Sequence, residues 1–213
     1  MIKSALFLAI WGATTFSVVI AAGALFGARS AAAQPETGTV RWAPQQASGA
    51  VCTRQNSRPS WLTAAQFNEV VEDTTQRWSE LGAAIRLDYR GDCSTLELQD
   101  LDTVLSEISW DVATFMDRPG VDSVALLEIT RSSESNGSHI GAASVVLRPW
   151  TIDSSARPAA NIEALRGLVG HELGHLLGLT HSGTELDLMY NGPVTARVPS
   201  VADAQALGAI YGP

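Results

Sequence analysis

Residues 171–181 read His-Glu-Leu-Gly-His-Leu-Leu-Gly-Leu-Thr-His, and no other stretch of the 213 constrains the fold as sharply. The chain has four histidines, and three of them fall in this segment. Histidines at i and i+4 lie on one helical face about one turn apart, so His171 and His175 can aim imidazole nitrogens at a single ion. Gly178 can adopt the left-handed turn that breaks such a helix and returns His181 to the same ion. Three histidines leave one coordination position open, which is what separates a catalytic zinc site from a structural one. Glu172 does not reach the ion from its own azimuth but can reach a water in the open position. It is the candidate general base.

The segment carrying these residues has a helical signature of its own. Asn161 is a candidate cap, and Ile162, Leu165, Leu168, Val169, Leu173 and Leu176 form the apolar side of a helix running to Leu177. Upstream, Thr63 followed by Gln66 makes a capping box, and Phe67, Val70, Val71, Trp78 and Leu81 recur at helical spacing until Gly82. Ile85, Leu87 and Tyr89 then alternate with Arg86, Asp88 and Arg90, the period of a half-buried strand. Short strands are expected at 39–42 and 50–53, and longer β-branched runs at 121–130 and 139–147 flank an Asn136-Gly137 turn. The run 101–116 fits a helix as well as a strand at 103–110. A last helix starts from Ser200, with Asp203 in its first turn, and ends near Tyr211. No repeat or linker divides the chain.

From position 4 to 28 the chain runs 25 residues without a charge, between Lys3 and Arg29, and Ala31-Ala32-Ala33 comes next. This is the pattern of an export signal, cleaved after Ala33. The run exceeds the roughly 7–15 residues of a usual signal core and reaches the about 20 that span a bilayer, so an uncleaved anchor over 4–28 stays open. Either way residues 34–213 face an oxidising or extracytoplasmic space, as a secreted or membrane-anchored domain. That domain is acidic and lysine-free. The whole chain, 46% hydrophobic and 17% charged with a net charge of −8, is not disordered overall and lacks the excess of basic residues that a nucleic-acid partner requires. Membrane contact is expected only if the N-terminal segment stays attached, and a monomer is the simplest state.

Taken with the residues downstream of it, the histidine motif resembles the extended zinc motif of the metzincin metallopeptidases, and the downstream segment resembles their matrixin branch. Ser182 follows the third histidine, Leu188-Met189-Tyr190 comes shortly after, and residues 200–212 end in Ile-Tyr-Gly. The resemblance implies one α+β domain over residues 34–213 with the zincin-like (metzincin) fold. Its parts would be a mixed twisted sheet, an early packing helix, a zinc-binding helix at the cleft, and a small C-terminal subdomain. It further implies one catalytic zinc on His171, His175 and His181, with Met189 as a hydrophobic floor that is not a ligand. A protein or peptide substrate would lie extended and antiparallel to an edge strand, placed here at 123–130. Calcium is compatible with the resemblance, but no calcium site maps onto this sequence.

Two departures from the branch stand out. Asn191-Gly192 separates Tyr190 from Pro193, where matrixins have proline directly after Met-Tyr. The further histidines of the matrixin structural zinc are missing; only His139 remains, read as a surface residue at a strand start. Cys52 and Cys93 are expected to pair in an exported domain, the other possibility being that one thiolate caps the zinc. The expected function is zinc-dependent hydrolysis of peptide bonds outside the cytoplasm, with Glu172 taking the proton of the water and passing it to the leaving amine. Two other readings use the same residues: a catalytically silent binding module on this fold, and a zinc hydrolase of a non-peptide substrate.

Overall fold

A computed structural model of the chain describes residues 15–23, 41–42, 48–96, 104–111, 113–116, 121–131, 138–149 and 158–212. The capping box acts as its residues predict: Thr63 Oγ1 accepts the Gln66 N–H at 3.2 Å and Gln66 Oε1 accepts the Thr63 N–H at 3.0 Å. Helix α1 (Ala64–Ser79) follows and buries Phe67, Val70, Val71 and Trp78. Gly82, at φ 82°, lies just past its end and turns the chain back through the buried Ile85 into strand β4 (Arg86–Asp92). This strand lies parallel to β3 (Ser48–Thr53), and parallel neighbours need a crossover, which α1 supplies.

The sheet continues through β5 (Val104–Trp110), β6 (Val121–Arg131) and β7 (Ser138–Leu147), with β1 (Thr15–Gly23) and the short β2 (Arg41–Trp42). Its order is β1-β6-β7-β5-β3-β4, with β2 pairing the start of β7 in parallel, Arg41 opposite His139. Strands β3, β4, β5 and β7 run parallel, and β6 runs antiparallel to β7. The described residues of the ambiguous run 101–116 form strand β5 and a short 3-10 turn at Ala113–Phe115. Pairing on both sides decides it: Ser106, Ile108 and Trp110 are buried while Glu107 and Ser109 between them are half-buried.

Helix α2 (Pro158–Leu176) carries the histidine motif, and α3 (Val201–Tyr211) closes the chain. Leu165, Val169, Leu173 and Leu176 of α2 join the α1 residues and Val51, Leu87, Ile108, Val145 and Leu147 of the sheet in one core. The indole of Trp78 donates to Gly170 O at 2.8 Å, pinning the C-terminal end of α1 to α2. Cys52 of β3 is bonded to Cys93, just after β4. With both cysteines in the bridge, no thiolate is left to cap a metal.

Three expectations need correction. Asn161 does not cap α2; the helix begins at Pro158, a residue suited to a first turn because the missing N–H is not needed there, and Asn161 is buried inside it. His139 does open a strand but is half-buried, flanked in register by Arg41 and Thr130, so it is not a surface residue. The β6 segment 123–130 is not an edge, because β1 pairs antiparallel along its outer side from Thr15 opposite Thr130 to Gly23 opposite Val121. Within the apolar N-terminal run, Thr15–Gly23 forms that strand, and no described helix is long and apolar enough to cross a membrane. The β-branched Thr15, Val18, Val19 and Ile20 suit the extended conformation. The Ala31–Ala33 cleavage site and the Asn136-Gly137 turn lie outside the described residues.

Candidate active site

The C-terminus of α2 ends in a motif that only a left-handed residue closes. Gly178, at φ 89°, donates to His175 O at 2.8 Å, and Leu179 donates to Gly174 O at 3.0 Å. Two further carbonyls of the last turn receive side chains: Trp42 Nε1 donates to Leu176 O at 2.9 Å and the Tyr211 hydroxyl donates to Leu177 O at 3.0 Å. The short strand β2 and the Ile-Tyr-Gly end of α3 thus brace the end of the helix from which His181 is presented.

His171 and His175 are fully buried on α2, and His181 approaches from beyond the turn. His175 Nε2 lies 3.1 Å from His171 Nε2 and 3.1 Å from His181 Nε2. On the opposite side of two rings, Nδ1 of His171 faces Leu188 O at 2.7 Å and Nδ1 of His175 faces Leu179 O at 2.8 Å. A carbonyl can only accept, so both Nδ1 atoms carry the proton and both Nε2 atoms present lone pairs. Lone pairs 3.1 Å apart in a dry site repel unless a cation lies between them. Three nitrogens held tetrahedrally at about 2.0–2.1 Å from zinc stand roughly 3.3 Å apart, so the donor set fits that ion in chemistry and spacing. Burial also keeps the rings neutral, as ligands must be: it holds His171 down to about 4 and His175 and His181 below the ordinary imidazole value.

Glu172 is completely buried beside the first ligand. Its Oε1 accepts the Ser123 hydroxyl at 2.6 Å, while Oε2 has no hydrogen-bond partner. Before any cation is present, burial pushes its carboxyl up to about 8, opposed by the Ser123 hydrogen bond and the backbone of Ala125. In the sequence Ser123 has a place only as the first residue of the segment 123–130, with no role in the site. Its one signal there is a hydroxyl inside the apolar run of β6, which says that a buried partner exists without naming it.

Met189 lies under α2. A Cβ added at Gly174 would stand 2.2 Å from Met189 Sδ, so the glycine inside the histidine motif is what lets the methionine approach. The segment is fixed to the third histidine's neighbour: Ser182 N–H donates to Met189 O at 2.6 Å and Asn191 N–H donates to Ser182 O at 3.0 Å. Asp187 accepts from the Ser182 and Ser200 hydroxyls, which hold its carboxyl below the usual carboxylate range. The structure thus brings His171, Glu172, His175 and His181 together over Met189. Cys52 and Cys93 stand apart as a structural bridge, and His139 is not in the histidine cluster.

A helix that carries two histidines, breaks at glycine and returns a third, set against a mixed sheet, defines a zinc metallopeptidase of the zincin type. The matrixin family model matches residues 42–212, and the chain belongs to that family. It is a metalloendopeptidase with a zinc-binding triad of His171, His175 and His181, and its substrates are proteins. No curated protein sequence matches the chain. Family membership and the disulfide both place the domain in an extracellular setting.

Proposed function

We propose that this protein cleaves peptide bonds of extracytoplasmic proteins with Glu172 as its general base, after residues 1–33 have been removed. The observation that carries the reading is the pairing of three converging histidine nitrogens with an adjacent buried carboxylate whose second oxygen is unpartnered. Zinc, when bound, supplies Lewis acidity that activates water and polarises the scissile carbonyl. The Nδ1 bonds of His171 and His175 to main-chain carbonyls hold the rings in the ligating tautomer. Glu172 Oε2 receives the proton of the attacking water and then delivers it to the leaving amine. Met189 fills the space beneath the ligands and keeps it dry. Loss of residues 1–33 frees the outer side of β6, along which an extended substrate can pair by main-chain hydrogen bonds.

The test uses zinc-loaded protein beginning at Gln34 and a diverse peptide library, with and without a chelator. Cleavage that the chelator abolishes is expected. Glu172→Ala should keep one zinc per chain and lose roughly 10²–10⁴-fold in rate, whereas His175→Ala should lose the metal too. A wild type that binds stoichiometric zinc yet cleaves no peptide would point to the silent binding module or to a non-peptide substrate.

A further inference from the structure

We propose that Ser123 is a positioning residue for Glu172: its hydroxyl fixes one carboxylate oxygen and so leaves the other directed to the reacting water. The inference rests on the peptidase reading above and adds a residue to it from a different element, strand β6. Ser123, Ala125 and Leu127 alternate on the face of β6 turned towards α2, while Val124 and Leu126 pack in a separate cluster with Phe115 and Val146. On that inner face Ser123 is fully buried, and a buried hydroxyl without a partner costs on the order of 1–3 kcal/mol. A serine has one proton to donate, and it is given to Glu172 Oε1 at 2.6 Å, within the range of a charge-assisted O–H···O⁻ bond.

The consequence for Glu172 is geometric. A glutamate on a helix has three side-chain torsions, and nothing on α2 itself fixes the last of them. Ser123 does so from outside the helix, with the backbone of Ala125 two residues further along the same strand as a second hold on the carboxyl. Oε1 is occupied by the hydroxyl, and Oε2 is the buried oxygen without a partner, hence the one able to accept a proton. Because the same strand would offer its outer side to an extended substrate once residues 1–33 are gone, the scissile bond and the base are both referred to one rigid element. A small displacement of either would otherwise be costly, since reaction requires near-contact geometry.

The test is a double-mutant cycle on the zinc-loaded protein, with wild type, Ser123→Ala, Glu172→Ala and the double variant, each first shown to hold one zinc per chain. Ser123→Ala should lower kcat by roughly tenfold with KM nearly unchanged, the loss expected for a hydrogen bond to a charged group that matters in the transition state. In the Glu172→Ala background the same change should have no effect, because Ser123 acts only through that carboxylate. A second readout needs no turnover: melting temperatures of the four zinc-free proteins should be non-additive by more than about 2 °C, as expected for residues in direct contact. An equal kcat loss in both backgrounds, or additive melting shifts, overturns the proposal. An inactive wild type sinks the peptidase reading and the kinetic half of this inference together. An active wild type whose kcat is untouched by Ser123→Ala sinks this inference alone.

Discussion

Asp203 Oδ2 accepts the backbone N–H of Leu188 at 2.9 Å, and the carbonyl of that same Leu188 faces His171 Nδ1 at 2.7 Å. One residue's backbone is therefore held on one side by the C-terminal helix and on the other holds a zinc ligand. Asp203 also accepts the Ser200 N–H at 2.8 Å and completes the capping box of α3. A single buried carboxylate thus ties α3, the segment around Met189 and the metal site into one frame.

Replacing it should be felt at both ends. Asp203→Ala removes the reciprocal half of the capping box and leaves buried N–H groups of Leu188 and Met189 without that acceptor, a loss of about 2–4 kcal/mol in denaturant unfolding. Because the Leu188 carbonyl orients His171, zinc affinity should fall by roughly 10–100-fold, measured by competition with a chromophoric chelator. A variant with weaker folding and unchanged zinc affinity would mean that Asp203 supports α3 alone.

The metal-free domain should have a stability optimum between two opposed titrations. His171 drops from 6.5 to about 4 on folding, so the unfolded chain binds its proton first and stability is lost as pH falls from about 6.5 to 4. His175 and His181 act in the same direction. Glu172 rises from 4.5 to about 8, so the folded state holds a proton that the unfolded chain gives up, and stability falls as pH rises through that window. The two windows overlap between about 4.5 and 6.5, and above about 6.5 only that of Glu172 continues, so melting temperature in chelator should peak near pH 6.5. Glu172→Gln should flatten the limb above it and leave the acid limb in place; parallel profiles for the two proteins would refute the assignment.

Gly174 offers a test in which two effects have opposite signs. In an ordinary helix interior glycine to alanine stabilises by about 0.5–1 kcal/mol. Here the new methyl would stand 2.2 Å from Met189 Sδ and 2.9 Å from the Trp78 ring, so Gly174→Ala should destabilise by about 1–3 kcal/mol instead. Adding Met189→Ala should recover part of that loss relative to Met189→Ala alone. Thermal unfolding of the four proteins decides it, and a Gly174→Ala variant more stable than wild type would place Met189 elsewhere.

How much of the molecule is legible in its sequence depends on the range of each interaction. The Thr63–Gln66 box, the glycine at position 178 and the three histidines act over a turn or two, so their spacing is their geometry. The start of α2 is misplaced by sequence because Asn161 and Pro158 both signal a helix beginning, and local propensity does not rank them. Strand β5 is ambiguous for a different reason: its choice is made by neighbours on both sides, β3 and β7, which lie far away in the chain. Ser123 escapes on the same principle, since its partner comes 49 residues later. The apolar N-terminal run has no periodicity to separate helix from strand, and its pairing with β6 is a tertiary fact.

That pairing makes the last prediction. Thr15–Gly23 lies antiparallel along β6 and its backbone runs near α2, so it occupies the side of the sheet proposed for substrate. Glu172, a base that must meet water, has no exposed surface in this arrangement. A strand tethered in the same chain competes at an effective concentration of about millimolar, above the level of a typical peptide substrate in an assay. The chain beginning at Gln34 should therefore have kcat/KM at least about tenfold higher than the full chain, both zinc-loaded and in the same detergent. A synthetic peptide with the sequence of residues 15–23 should inhibit the shorter protein competitively. Equal rates for the two proteins, with no inhibition by the peptide, would show that the segment does not block the cleft.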